Sequence, residues 1–196
     1  MLEIILKMYT TLMPTIMAGI FNMIWCKMSF LKALSVPMDG GRKLADGKRI
    51  FGDNKTWKGF LGYIVLNLLM TCIWGWLCAM WNIESYNFFY INHENILANN
   101  ILIGILMGLA YSLFELPNSF IKRRLDIVPG KTSSGTKKYF FIVLDQADSV
   151  IGCVLAISLF YNMNLLMILG YILLGTLTHI ILNMLLYSMK LRKNMF

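Results

Sequence analysis

From Ser149 to Met189 the chain reads SVIGCVLAISLFYNMNLLMILGYILLGTLTHIILNMLLYSM, a stretch without a single Asp, Glu, Lys or Arg. As one helix it would extend roughly 60 Å at 1.5 Å per residue, about twice the hydrocarbon thickness of a bilayer. It must therefore fold back on itself, and Asn162 and Asn164 mark the turn between two crossings. Working back from there, the first of the two begins near Tyr139 once Asp145 and Asp148 are tolerated within it. Three further windows, Met8 to Cys26, Gly59 to Ile83 and Asn95 to Phe114, carry no charge and are long enough to span. The expectation is an all-α, polytopic membrane protein with five transmembrane helices, organised as one membrane domain over residues 1–196.

Composition agrees. Hydrophobic residues make up 58% and charged residues 14% of the 196, and the mean hydropathy is +0.63, which excludes an ordinary soluble domain. The first apolar run is longer than a signal-peptide core and no small-residue cleavage site follows it, so it is expected to stay in the mature protein. Cys26, Cys72, Cys78 and Cys153 lie inside apolar runs without zinc spacing and read as small core residues rather than a disulfide framework. No internal repeat or low-complexity linker interrupts the pattern.

The formal charge of +8 does not make this a nucleic-acid binder, because the basic residues are separated by long apolar runs instead of forming a soluble basic face. Of the 18 Lys and Arg, eight lie from Lys27 to Lys58, six from Lys122 to Lys138 and three from Lys190 to Lys193, with none between Ile83 and Ile101. By the positive-inside rule the loops at about 27–58 and 118–141 and the carboxyl tail face the cytoplasm, while the 81–95 loop and the amino terminus lie outside. Trp25, Trp57, Trp74, Trp76 and Trp81 suit interfacial belts.

Within this frame the first basic loop is unusual. From Met38 to Gly59 it holds Asp39, Asp46 and Asp53 and five glycines among its cations, giving close backbone approach and charge for a polyphosphate. It is not a Walker A loop, since Asn54 and not Gly precedes Lys55-Thr56. The bland reading is a positive loop resting on anionic headgroups. The second cluster, Glu115-Leu116-Pro117-Asn118-Ser119-Phe120-Ile121-Lys122-Arg123-Arg124, follows a helix that Pro117 is expected to end or kink; Glu115 there serves either a site or a salt bridge. The most informative segment is Leu144-Asp145-Gln146-Ala147-Asp148-Ser149. Carboxylates three residues apart share a helical face and repel where water is scarce, so a cation must accompany them: a neighbouring Lys or Arg, or Mg²⁺ together with substrate phosphates. His93 in the outer loop and His179 deep in the last helix are expected to be structural. No nucleophile elbow or His-Asp-Ser set appears, which argues against hydrolase chemistry. A nucleophile that is already an anion, such as a lipid phosphate oxygen attacking a nucleotide α-phosphorus, needs charge neutralisation and alignment instead of a base.

Together the Gly52-Asp53-Asn54-Lys55-Thr56-Trp57-Lys58-Gly59 block, Glu115-Leu116-Pro117 through Lys122-Arg123-Arg124, Pro129-Gly130 and Leu144 to Ser149 resemble the small CDP-archaeol synthase family, relatives of the larger CDP-diacylglycerol synthases. The resemblance covers essentially the whole chain. It implies CTP and a lipid phosphate as substrates, a CDP-lipid and pyrophosphate as products, Mg²⁺ as cofactor held by Asp145 and Asp148, and a cytoplasmic site. Residues and resemblance together give Lys55, Lys122, Arg123, Asp145 and Asp148 to the chemistry, and Asp53, Thr56, Glu115, Ser119, Arg124 and Gly130 to substrate binding. Lys131 after Gly130, and Gln146 where the larger enzymes carry Arg, favour the short archaeol-type branch. The segment from Lys131 to Phe141 receives no role. Expected partners are CTP, the lipid phosphate and membrane lipids, with a homodimer left open. An acyltransferase acting on glycerol phosphate shares the basic loops but has no use for the aspartate pair. A transporter of an anionic solute would spread its charges along a path, and here they sit on one side. Apolar helices do not distinguish isoprenoid ether from fatty-acyl ester tails.

Overall fold

The computed structural model describes residues 2–129 and 138–190; Gly130 and most of the Lys131 to Phe141 segment lie outside the described residues. Five helices are long and apolar enough to cross a membrane. They are α1 (Leu2–Lys27), α2 (Trp57–Met80), α4 (Leu97–Arg124), α5 (Lys138–Ser158) and α6 (Leu165–Ser188), with a short α3 (Phe89–Asn92) between α2 and α4. They pack in the order α1, α2, α4, α5, α6, so α1 and α6 form the two edges of the wrap. Asn164 turns the chain as expected, its side chain accepting from Met167 N–H at 2.9 Å to cap α6. Thr56 does the same for α2 through Gly59 N–H at 3.2 Å.

Backbone accounting explains several contacts. Pro14 lies inside α1 and has no N–H, which deprives the Thr10 carbonyl of its helical partner; the indole of Trp74 donates to that oxygen at 2.8 Å. Between α2 and α4, Gly104 and Gly108 bring the helices so close that a Cβ would stand 2.6 Å from Leu68 Cα or 2.8 Å from Ile64 Cα. Asn67 donates to Gly104 O at 3.0 Å across the same contact.

Of the two outcomes expected at Pro117, an end or a kink, the structure overturns the first. Pro117 does not end its helix: α4 continues to Arg124, so Lys122, Arg123 and Arg124 ride on its last turn, where the macrodipole favours cations. The loop between α2 and α4 packs into the bundle. Phe88 and Phe89 are buried in it, with Phe88 4.7 Å from the Tyr161 ring and Phe89 5.5 Å from Phe160. They plug the end of the bundle opposite the basic loops.

The first basic loop folds around Asp39. Its carboxylate accepts from Arg49 Nε at 3.1 Å and from the N–H groups of Gly41 (3.1 Å), Phe51 (3.0 Å) and Gly52 (3.0 Å). Burial alone would raise the Asp39 pKa, but Arg49 and these three donors outweigh it and hold the carboxyl well below the usual range. The loop is then fastened to the end of α4: Lys48 donates to Arg124 O at 2.8 Å and Asp126 at 2.6 Å, and Arg124 reaches Asp46 and the Arg49 carbonyl. Gly52, at φ 103°, permits the closure, since a Cβ there would meet Pro129 at 2.8 Å.

Candidate active site

A cavity of about 720 Å³ opens under this loop and runs inward between the helices. At its charged end, α4 presents one face through Glu115, Asn118, Ser119, Lys122 and Arg123, spaced at three and four residues. Opposite, α5 presents Asp145 and Asp148. The Asn118 amide bridges them, Nδ2 lying 2.7 Å from Asp145 Oδ1 and 2.7 Å from Asp148 Oδ2. Lys122 pairs with the other oxygen of Asp145, and Lys55, reaching in from the loop, pairs with Glu115. Burial works to lower the Lys55 pKa, yet Glu115, with Asp148 and Asp145 behind it, moves it upward, so the ammonium stays charged.

Of the buried side chains left with an unsatisfied polar atom among the described residues, two line the charged end of this cavity. Arg123 is 7% exposed, and its Nε and Nη1 find no hydrogen-bond partner; the Oδ1 of Asn118 finds none either. A buried guanidinium with free donors beside Gly52 suits an anion. An orphaned amide oxygen beside two carboxylates is an all-oxygen donor set of the kind a hard divalent cation takes. No trio of His, Cys, Asp and Glu among the described residues could hold a metal by itself. The fit is thus to an ion bound by two carboxylates plus phosphate oxygens of a ligand, as Mg²⁺ is commonly held.

The structure therefore brings together Lys55, Thr56, Glu115, Ser119, Lys122, Arg123, Asp145 and Asp148 around one cavity. It does not bring Asp53 or Arg124 there. Asp53 is paired with Arg49 at 2.7 Å and largely exposed, and Arg124 is engaged by the loop. Asn118 and Asp39 escaped sequence reading because their value lies in partners distant in sequence. His179, expected to sit too deep, lines the same cavity. Its Nδ1 is 3.2 Å from the Gln146 carbonyl and its Nε2 3.3 Å from Tyr111 OH, while Asn183 donates to the Gln146 side chain. Tyr111 stacks on Tyr63 at 3.9 Å, and Tyr63 OH donates to Thr15 O at 3.0 Å. This polar chain touches all five long helices and floors the charged end.

The family model described as "CarS-like: CDP-archaeol synthase" matches residues 1–196. The chain belongs to the CDP-archaeol synthase family. Among curated CDP-archaeol synthases, that of Thermococcus gammatolerans is 35% identical over 107 residues, 55% of this chain and 56% of that one. That of Methanoculleus marisnigri is 32% identical over 125 residues, 63% and 64% of the two chains, and that of Thermofilum pendens 29% identical over 149 residues, 76% and 60%. The chain thus spans 56–64% of the length of these CDP-archaeol synthases. A solved intramembrane enzyme for archaeal membrane lipid biosynthesis superimposes with a TM-score of 0.60 over 90% of this chain and 92% of that one, at 21% identity, which shows the fold. With five apolar helices, this member of the family is a multi-pass membrane protein.

Proposed function

We propose that this protein transfers the cytidylyl group of CTP to a lipid phosphate, giving a CDP-lipid and pyrophosphate, with the basic end of the bundle facing the cytoplasm. The observation that supports this best is the buried, unpaired Arg123 guanidinium in a cavity whose facing wall holds two carboxylates bridged by one amide. A site for one anion needs only cations. A site that sets cations against a carboxylate pair is suited to a polyphosphate accompanied by a metal ion. The family membership and the curated relatives' name favour the archaeol-type ether lipid phosphate over phosphatidate.

In this reading an oxygen of the lipid phosphate attacks the α-phosphorus of CTP. The new P–O bond forms as the bond to the β-phosphate oxygen breaks, and pyrophosphate leaves carrying the electron pair. The nucleophile is already anionic, which agrees with the lack of a base–nucleophile pair. Arg123 donates its free N–H groups to the triphosphate. Lys55 and Lys122 exchange the carboxylates they now hold for phosphate oxygens, so each substrate is met by charge already desolvated and aligned. Asp145 and Asp148, with the Asn118 oxygen beside them, would hold Mg²⁺, which would supply charge neutralisation at the transferring phosphate. Asp39 and Arg124 keep the loop closed over Arg123.

The test is purified protein in detergent with CTP, Mg²⁺ and either 2,3-bis-O-geranylgeranylglyceryl phosphate or phosphatidate, with products identified by mass. A CDP-lipid from the ether substrate, formed with one equivalent of pyrophosphate, is expected. CTP left intact with both lipids would overturn the reading.

A further inference from the structure

α6 is the most apolar of the five long helices, yet one face carries His179 and Asn183, four residues apart, and both address the same residue of α5. The Asn183 amide donates to the side-chain carbonyl of Gln146, and His179 Nδ1 lies 3.2 Å from the Gln146 main-chain oxygen. A carbonyl only accepts, so Nδ1 carries the ring proton; Nε2 of the neutral ring then accepts from Tyr111 OH of α4 at 3.3 Å. Gln146 and Asn183 are both buried. Gln146 stands between Asp145 and Asp148 in the chain, so at about 100° per residue it points to the side of the face that the carboxylates share. Farther along α5, close contacts set its distance to each neighbour. A Cβ on Gly152 would stand 2.5 Å from Ala110 O of α4, and one on Gly175 of α6 would stand 2.6 Å from Val150. Those contacts do not set the roll of the turn that carries the two carboxylates.

We propose that Gln146, gripped by Asn183 and His179, is a positioning residue for the carboxylate pair: α6 fixes the roll of α5 so that Asp145 and Asp148 face the cavity together. The inference rests on the transferase reading and adds to it what aims the metal-binding carboxylates. Mg²⁺ takes its oxygens at about 2.0–2.1 Å in near-octahedral geometry, so a small roll of the turn that carries the pair breaks the site. Of the contacts that orient the pair now, the one from Lys122 is given up when phosphate arrives. The contacts to Gln146 join neutral groups to one another and have no reason to break when an ion or a phosphate binds. Two polar side chains inside so apolar a helix carry a desolvation cost, and aiming both at one residue offsets it with hydrogen bonds that serve the site.

Removing both side-chain partners together separates aim from stability, because a hydrogen-bonded pair replaced by apolar groups of similar shape costs little, whereas one stranded partner costs much. Gln146→Leu combined with Asn183→Leu should therefore melt in detergent near the unaltered protein. Its affinity for Mn²⁺·CTP without lipid phosphate, read from the broadened EPR signal of the bound ion, should fall about 10- to 100-fold, and kcat with Mg²⁺ should fall with it. Affinity for metal-free CTP and the KM for lipid phosphate should each change less than about twofold. Thr176→Val removes a buried hydroxyl of α6 that has no partner among the described residues; as the control it should leave Mn²⁺·CTP affinity unaltered. A second pair of variants decides the matter even where the Leu pair does not fold. Gln146→Asn shortens the reach by one methylene and should weaken Mn²⁺·CTP binding, and adding Asn183→Gln restores the length and should recover it. Unaltered Mn²⁺·CTP affinity in the folded Leu pair or in Gln146→Asn, no recovery in the exchanged pair, or an equal loss in Thr176→Val would overturn the positioning role. So would equal losses for Mn²⁺·CTP and metal-free CTP, or a loss confined to the KM for lipid phosphate, which would make these side chains substrate contacts. The expected pattern of Mn²⁺·CTP binding in a protein that forms no CDP-lipid would keep the positioning role and remove the transferase reading instead.

Discussion

Asp145 and Asp148 are held side by side on α5 by a single neutral donor, the Asn118 amide, which serves both carboxylates at 2.7 Å. Lys122 neutralises Asp145 from one flank, but Asp148 has no ion pair among the described residues and is 8% exposed. Such an arrangement is costly, since the shared amide and the Ser149 N–H, which donates to Asp148 Oδ1 at 2.6 Å, are both neutral and leave the Asp148 charge without a cation. Asp145→Asn and Asp148→Asn should therefore each lower CTP turnover by about two to four orders of magnitude, with melting in detergent unchanged or raised for Asp148→Asn and lowered for Asp145→Asn, which strands the Lys122 ammonium. Turnover against Mg²⁺ concentration, with melting curves beside it, checks this; near-normal turnover with unchanged Mg²⁺ dependence would remove the metal role. Asp39 makes a contrasting case, a buried carboxylate fully satisfied by Arg49 and three N–H groups. Asp39→Asn should loosen the loop by roughly 1–3 kcal/mol, because donors aimed at a charge would face a neutral amide. The native carboxyl has a folded pKa below its unfolded value of about 3.9, so its stabilisation is complete above that pH and is lost as pH falls through the folded value. Amide exchange across residues 39–56, taken relative to its intrinsic rate at each pH, should speed up on acidification below about pH 4 in the native protein. In Asp39→Asn it should already be fast at neutral pH and lack that acid step.

At the level of helices, the α2–α4 contact is set by glycine. A Cβ on Gly104 would stand 2.6 Å from the backbone of Leu68, so no side-chain rotation can relieve it, whereas one on Gly19 would have 3.9 Å to the Tyr63 ring. Gly104→Leu should cost about 1–3 kcal/mol or more by prising the helices apart; Gly19→Ala should change little. Thermal unfolding in detergent separates the two, and a Gly104→Leu protein as stable as the unaltered one would refute the close-packing account. The number of crossings was legible because chain length against bilayer thickness leaves little choice, and Asn164 announces its turn. The end of α4 was not legible: Pro117 is a breaker in water, but within a packed membrane bundle its lost hydrogen bond is tolerated and the helix runs on to Arg124. That extension puts Lys122 and Arg123 on the same face as Glu115 and Asn118. For the site, the charged residues stood out because charge is rare in apolar sequence. Asn118, Gln146 and Asn183 did not, because a neutral polar side chain reveals its worth only through partners on other helices.

For the whole molecule, five crossings and the distribution of charge support the proposed orientation, with the basic end toward the cytoplasm. The ends of α1, α4 and α6 and the starts of α2 and α5 lie together at the basic end, and the loop between α2 and α4, without Lys or Arg from Ile83 to Ile101, lies at the other. Transfer of a loop across the membrane disfavours Lys and Arg, so the basic end should remain in the cytoplasm, with the amino terminus outside and the carboxyl terminus inside. The proposed chemistry requires the same orientation, because CTP must reach Arg123 and Asp148 from the side that holds nucleotides. Exposed positions at each end allow a direct measurement: Lys43→Cys in the basic loop and Glu94→Cys in the opposite one, both in a Cys26→Ser background, since Cys26 is itself exposed at the basic end. A membrane-impermeant thiol reagent applied to intact cells should label Glu94→Cys and spare Lys43→Cys until the membrane is opened. The reverse pattern would place the cavity on the outer side and leave the nucleotide without access, so it would overturn the orientation and the transferase reading together.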